Sequence, residues 1–337
     1  LGEKIYEDTL PNGLRIKVVP KRGFARSYAF FATDYGSMDT RFRLDGKDYV
    51  SPDGVAHYLE HKMFDMPDGN ALQKMSQTGA SPNAFTSYNI TAYHFSCTSM
   101  FEENFRTLLQ FVSQGYFTQE SVEKERGIIA QEIKMYADNP GSRVDENLFR
   151  AMYKNHPIRV PVVGTVESIQ DITAQTLIDC HRAFYDPSNM VLCVVGDVDP
   201  RQIHDIALEI LPKVPGGASE RDRGEKEPAA PDQRTITQEM EVSMPMFSVG
   251  FKGAEVPKGP QRLRQEIIGD LAGEILCGES SRLYQEMYES GLIDPGFGVS
   301  YSLVRELSML CLGGDSENPQ AVLDAVRDVA ISSCQLN

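Results

Sequence analysis

Apolar and polar residues alternate over residues 5–19 on either side of Pro11-Asn12-Gly13. A period of two broken by turn residues predicts a β-hairpin. Ser27 to Tyr35 predicts a further strand, and Leu44 to Ser51 a polar loop. The period then lengthens to that of a helix at about 54–64 and 69–78, opened by the turn Ser51-Pro52-Asp53-Gly54. A strand pair over 82–97 turns near Tyr88-Asn89, and helices follow near 102–114, 119–137 and 141–154. Beyond a loop with Pro157 and Pro161, the pattern predicts helices within 166–186, a strand at 190–196 and a helix at 200–211. This mixed order predicts an α+β domain, a mostly antiparallel sheet backed by helices.

Pro215 to Gln233 is rich in Gly, Pro, Ala and charge with almost no large apolar residue, the composition of a linker. The chain therefore divides into a first domain at 1–213, a linker at 214–235 and a second domain at 236–337. The second predicts a strand at 239–252, helices at 260–276 and 280–290, strands at 296–303 and 307–314, and a helix at 317–332. That order repeats the early part of the first domain in half the length, so the second domain reads as an incomplete copy.

Composition narrows the class. With 41% hydrophobic and 24% charged residues in 337, the chain has enough apolar material for two globular cores. No apolar run is long enough to span a bilayer, and the first residues do not form a signal peptide. The net charge of −15 argues against nucleic acid and against an anionic membrane as partners. Cys97, Cys180, Cys193, Cys277, Cys311 and Cys334 are scattered without a Cys-x-x-Cys, which predicts reduced thiols and a cytoplasmic protein.

The chemistry concentrates at His57-Tyr58-Leu59-Glu60-His61. On a helix, positions 57 and 61 lie one turn apart on one face, so both imidazoles can reach a single ion. Glu60 lies on the same side, placed to act on solvent at the ion. Zinc accepts nitrogen and oxygen ligands together and tolerates an open position, so it suits this set. The order is the inverted zinc-hydrolase motif. A third ligand is available on the helix predicted at 119–137, where Glu125 and Glu132 are seven residues apart and project from one side.

These residues resemble the inverzincin peptidases, the family of pitrilysin, insulysin and the mitochondrial processing peptidase. Its pattern is His-x-x-Glu-His, about seventy residues, then a Glu seven residues after another Glu; here 70 residues separate His61 from Glu132, with Glu125 in the earlier place. Leu10-Pro11-Asn12-Gly13-Leu14, Gly79-Ala80-Ser81-Pro82-Asn83-Ala84-Phe85-Thr86-Ser87, Phe184-Tyr185-Asp186-Pro187-Ser188-Asn189-Met190 and Val195-Gly196-Asp197-Val198 extend the resemblance. It implies His57, His61 and Glu132 as ligands of one zinc ion, Glu60 as general base and Glu125 as a supporting carboxylate. It implies Asn83, Ala84, Phe85 and Thr86 as the edge strand that receives substrate, in a zinc endopeptidase for short or unfolded peptides. It further implies two related domains facing each other across a chamber.

One departure stands out. The family's second half carries an Arg and, seven residues later, a Tyr that hold the substrate carbonyl. Here the matching segment places Tyr288 near the Arg position and Ile293 or Asp294 near the Tyr position. The resemblance thus points to the zinc-bearing subunit of a heterodimer whose homologous partner supplies the pair, or to a homodimer. The competing reading is a non-catalytic scaffold or peptide-binding homologue of the same fold.

Overall fold

The structure, a computed structural model, describes residues 2–214, 216, 219–222 and 224–334. Contacts divide the chain into two compact units, one of residues 1–133 and 160–224 and the other of 134–159 and 225–337. The first opens with strands β1 (Tyr6–Thr9), β2 (Arg15–Pro20), β3 (Ser27–Thr33), β4 (Arg41–Leu44) and β5 (Lys47–Val50). Helix α1 (Val55–Met63) follows, then a short pair, β6 (Asp65–Met66) and β7 (Gly69–Asn70), and helix α2 (Ala71–Gln77). Strands β8 (Ser81–Thr86) and β9 (Thr91–Cys97) lead into helices α3 (Phe101–Gln114) and α4 (Gln119–Ala137). After α5 (Pro140–Met152), which belongs to the second unit, come α6 (Ala174–Phe184), β10 (Met190–Gly196), α7 (Pro200–Ile210) and β11 (Glu220–Arg221).

Six of these strands form one sheet in the order β1-β2-β10-β3-β9-β8, antiparallel throughout except where β10 runs parallel to β2. Alternation decides its faces. Ile16, Val18, Ala29, Phe31, Tyr93, Phe95, Leu192 and Val194 are buried in one core with residues from α1, α3, α4, α6 and α7. Strand β8 ends the sheet and, among the described residues, pairs only with β9. The second unit repeats the motif on a smaller scale. Its elements are β12 (Met246–Lys252), α8 (Pro260–Cys277), α9 (Arg282–Glu289), β13 (Gly298–Val304), β14 (Leu307–Asp315) and α10 (Pro319–Cys334). The sheet order β12-β14-β13 reproduces β3-β9-β8, and a separate core gathers Phe247, Leu283, Tyr284, Met287, Phe297 and Val322.

Four expectations change. The loop expected at 44–51 is largely a hairpin, β4 paired with β5 around Asp45 and Gly46, whose φ values of 51° and 75° suit a tight two-residue turn. Phe42 and Tyr49 stack across it at 5.3 Å and Phe42 and Leu44 are buried, while Arg43 pairs with Asp48 on the exposed face. Within the stretch expected as a linker, Glu220–Arg221 pair with β4, and the Arg221 guanidinium meets the buried Asp39 carboxylate at 2.9 Å. A third difference is at 134–159: α5 packs on β12, where Gly250 leaves room for Met152 and Leu148, and so groups with the second unit. The strand expected from 239 begins only at Met246.

Candidate metal centre

Helix α1 is unusual for its length because eight of its nine residues are buried. Its start is fixed by two backbones in contact. Gly54 (φ 86°) and Gly164 (φ 75°) face each other so closely that a Cβ on either would lie 2.6 Å from a carbonyl oxygen of the other segment. From that start, Tyr58 and Leu59 point into the core while His57, Glu60 and His61 share the remaining side. Tyr58 then fixes where α4 lies, since its hydroxyl donates to the Val122 carbonyl in the first turns of that helix. On α4, Val122, Ile129 and Ile133 are buried, and Glu125 and Glu132 lie on the same side between them.

The two helices bring the separated residues together. His57 Nε2 lies 3.6 Å from Glu132 Oε1, and His61 Nε2 lies 3.4 Å from Glu132 Oε2. The two imidazole centroids are 4.6 Å apart, and one donor atom from each of His57, His61 and Glu132 falls within 4.8 Å of the others. Among the described residues this is the only such cluster, and His94, His156, His181 and His204 lie outside it. Glu125 sits behind His61, with its Oε1 3.1 Å from Nδ1. A proton on Nδ1, donated to Glu125, leaves Nε2 with its lone pair toward Glu132, the arrangement by which a carboxylate orients a metal-binding imidazole. His57 Nδ1 is buried with no hydrogen-bond partner. Two imidazole nitrogens and a carboxylate oxygen converging in this way fit a zinc ion.

Lys62, which the sequence reading did not single out, completes the electrostatics. Its side chain is only 3% exposed, and its ammonium lies 2.5 Å from Asp65 and 3.4 Å from Glu125. Asp65 also accepts from the Ser121 hydroxyl. A lysine beside a histidine on a helix ordinarily signals solvent; only the fold shows that it neutralises a group of carboxylates. Burial pulls the His61 pKa down, but hydrogen bonding to Glu125 and Glu132 outweighs it and raises the value to about 9. The imidazoles of His57 and then His61 hold Glu132 far below the usual carboxylate range, and His61 lowers Glu125 as well.

Glu60 is 8% exposed, and its Oε2 accepts a hydrogen bond from the Thr86 hydroxyl at 2.7 Å. Asn83, Ala84, Phe85 and Thr86 all lie on β8, the open edge of the sheet. Phe85 turns away from the helices, its ring 6.2 Å from Phe30 and 6.4 Å from His94, whereas Thr86 turns toward α1. Of the positions matching the second-half Arg and Tyr, Tyr288 is 49% exposed on α9 and Ile293 is buried in the second core.

Comparison with known proteins shows the family. Residues 47–166 match the family described as insulinase (peptidase family M16), and residues 171–336 match the one described as peptidase M16 inactive domain. The chain is 40% identical over its full length to the uncharacterized zinc protease YmfH of Bacillus subtilis, of which it spans 80%. The chain belongs to the M16 peptidase family. An M16-like peptidase from Alicyclobacillus acidocaldarius has the same fold, with a TM-score of 0.92 and 37% identity over 98% of this chain and 78% of that one. A second M16 relative, the uncharacterized zinc protease YmxG of Bacillus subtilis, is 27% identical over 74% of this chain, which covers 59% of it. Among the described residues, no helix is long and apolar enough to cross a membrane, and Cys97, Cys180, Cys193, Cys277 and Cys311 are free.

Proposed function

We propose that this chain carries the catalytic centre of a zinc endopeptidase, with His57, His61 and Glu132 as ligands, Glu60 as general base and Glu125 holding His61. The observation that carries the reading is the convergence of three donor atoms within 4.8 Å from helices whose residues lie some seventy positions apart. Zinc, when bound, supplies a Lewis acid that activates water and polarises the scissile carbonyl. Glu60 takes the proton of the attacking water and returns it to the leaving amine. The peptide lies extended along β8 as an added strand, paired main chain to main chain, which favours short or unfolded substrates over folded ones.

The lack of an Arg and Tyr at the matching second-half positions leaves the carbonyl-holding task to a homologous partner chain, since a second copy of this chain lacks the pair as well. The scaffold reading draws on the match of residues 171–336 to a domain described as inactive, but that match lies outside α1 and α4. Metal analysis joined to a quenched-peptide assay tests the proposal. Hydrolysis that requires about one zinc per chain, stops with chelator and is abolished in Glu60→Gln supports it. Bound metal without hydrolysis by the chain, alone or with a homologous partner, points to peptide binding without turnover, and neither points to a scaffold.

A further inference from the structure

Thr86 stands at the junction of the two parts of this centre. Ser87 N–H donates to the Ile90 carbonyl at 2.8 Å, which makes 87 and 90 a hydrogen-bonded pair of the β8–β9 hairpin. Hydrogen bonds alternate along an antiparallel pair, so Phe85 and Asn83 spend their backbone groups on β9, while Thr86 and Ala84 direct theirs to the open edge. The Thr86 side chain has a different partner. Its hydroxyl is 2.7 Å from Glu60 Oε2 and 3.5 Å from Thr91 Oγ1, and Thr91 gives its own proton to the Tyr35 carbonyl at 2.9 Å. A carboxylate only accepts, so the Thr86 hydroxyl is the donor to Glu60. Oε2 is thereby held, and Oε1 is left to receive a proton.

We propose that Thr86 is a positioning residue for Glu60, coupling the strand that receives substrate to the group that moves the proton. The coupling to substrate rests on the function proposed above; the hydrogen bond to Glu60 does not. A peptide strand paired to the Thr86 backbone fixes the same residue whose side chain aims the base. This division predicts that removing the hydroxyl impairs turnover and spares docking.

Two measurements test this. In the zinc-loaded protein, Thr86→Val lowers kcat about tenfold or more with KM changed less than about threefold, and Thr86→Ser restores kcat to within about twofold, since only the Ser hydroxyl can donate. In the metal-free protein, Thr86→Val raises the unfolding equilibrium constant roughly tenfold when Glu60 is present, as expected for a hydrogen bond to a charged group, and less than about threefold in a Glu60→Ala background. Equal effects in both backgrounds overturn the Thr86–Glu60 contact. An unchanged kcat, a loss confined to KM, or a failure of Thr86→Ser to recover overturns the positioning role. If the wild-type chain hydrolyses no peptide, alone or with a homologous partner, the peptidase reading falls, and with it the coupling to substrate. The unfolding cycle still decides the contact.

Discussion

At the scale of single residues, the centre is a balance of charge in a partly buried site. Lys62 is sealed from solvent against Asp65 and Glu125. Removing one partner of a buried ion pair leaves the other uncompensated, so Lys62→Ala is expected to destabilise the protein by about 3–5 kcal/mol, measured by denaturant unfolding. His61 couples the site to pH. Its folded pKa of about 9 lies above the ordinary 6.5, so its charged form stabilises the metal-free protein fully below pH 6.5. That contribution is lost as pH rises through about 9. A zinc ligand must be unprotonated, so zinc uptake at pH 7 is expected to release about one proton from this ring. Calorimetric titration in buffers of different ionisation enthalpy measures that number, and a value near zero would exclude His61⁺ as the group displaced.

At the scale of elements, the centre depends on contacts between segments that are remote in sequence. Tyr58 joins α1 to α4 through a hydrogen bond, and the paired glycines at 54 and 164 fix the helix start. Glu227 does comparable work in the second unit. Its carboxylate accepts from the backbone of Lys154, Asn155 and His156 and pairs with Lys252 at 2.8 Å. Burial opposes its charge, but Lys252 and the three amides prevail and lower its pKa to about 2. A depressed carboxylate stabilises the fold above its unfolded value, near 4.5, and loses that contribution as pH falls toward about 2. Glu227→Gln should therefore be less stable than wild type at pH 7 and nearly equal to it near pH 2, as followed by thermal unfolding across that range.

At the scale of the whole molecule, two cores share one chain, and only the first holds the candidate metal centre. A ligand that binds the folded state alone raises the stability of the unit that binds it, by about 4 kcal/mol at a thousandfold excess over its dissociation constant. Calorimetry is expected to resolve two transitions, with zinc moving only the one that reports the first unit. A chelator should return that transition to its metal-free position. Equal shifts of both would mean that the units unfold together.

Much of this was legible in the residues themselves. A helix repeats every 3.6 residues, so His57 with His61 and Glu125 with Glu132 had to share faces, and period-two alternation marked β8 and β9. Local polarity misled at β4 and β5, where one polar face made a hairpin look like a loop despite the Asp45-Gly46 turn. Lys62 was invisible because a cation beside a histidine reads as solvated until its surroundings are known. The sequence by itself determined which side chains could act as a set, because spacing along a helix or strand is a local property. Only the tertiary structure decided that α1 and α4 meet, that β8 is an edge, that Thr86 reaches Glu60 and that 134–159 packs with the second unit. Each of these depends on burial and hydrogen bonding between distant segments, which no local pattern encodes.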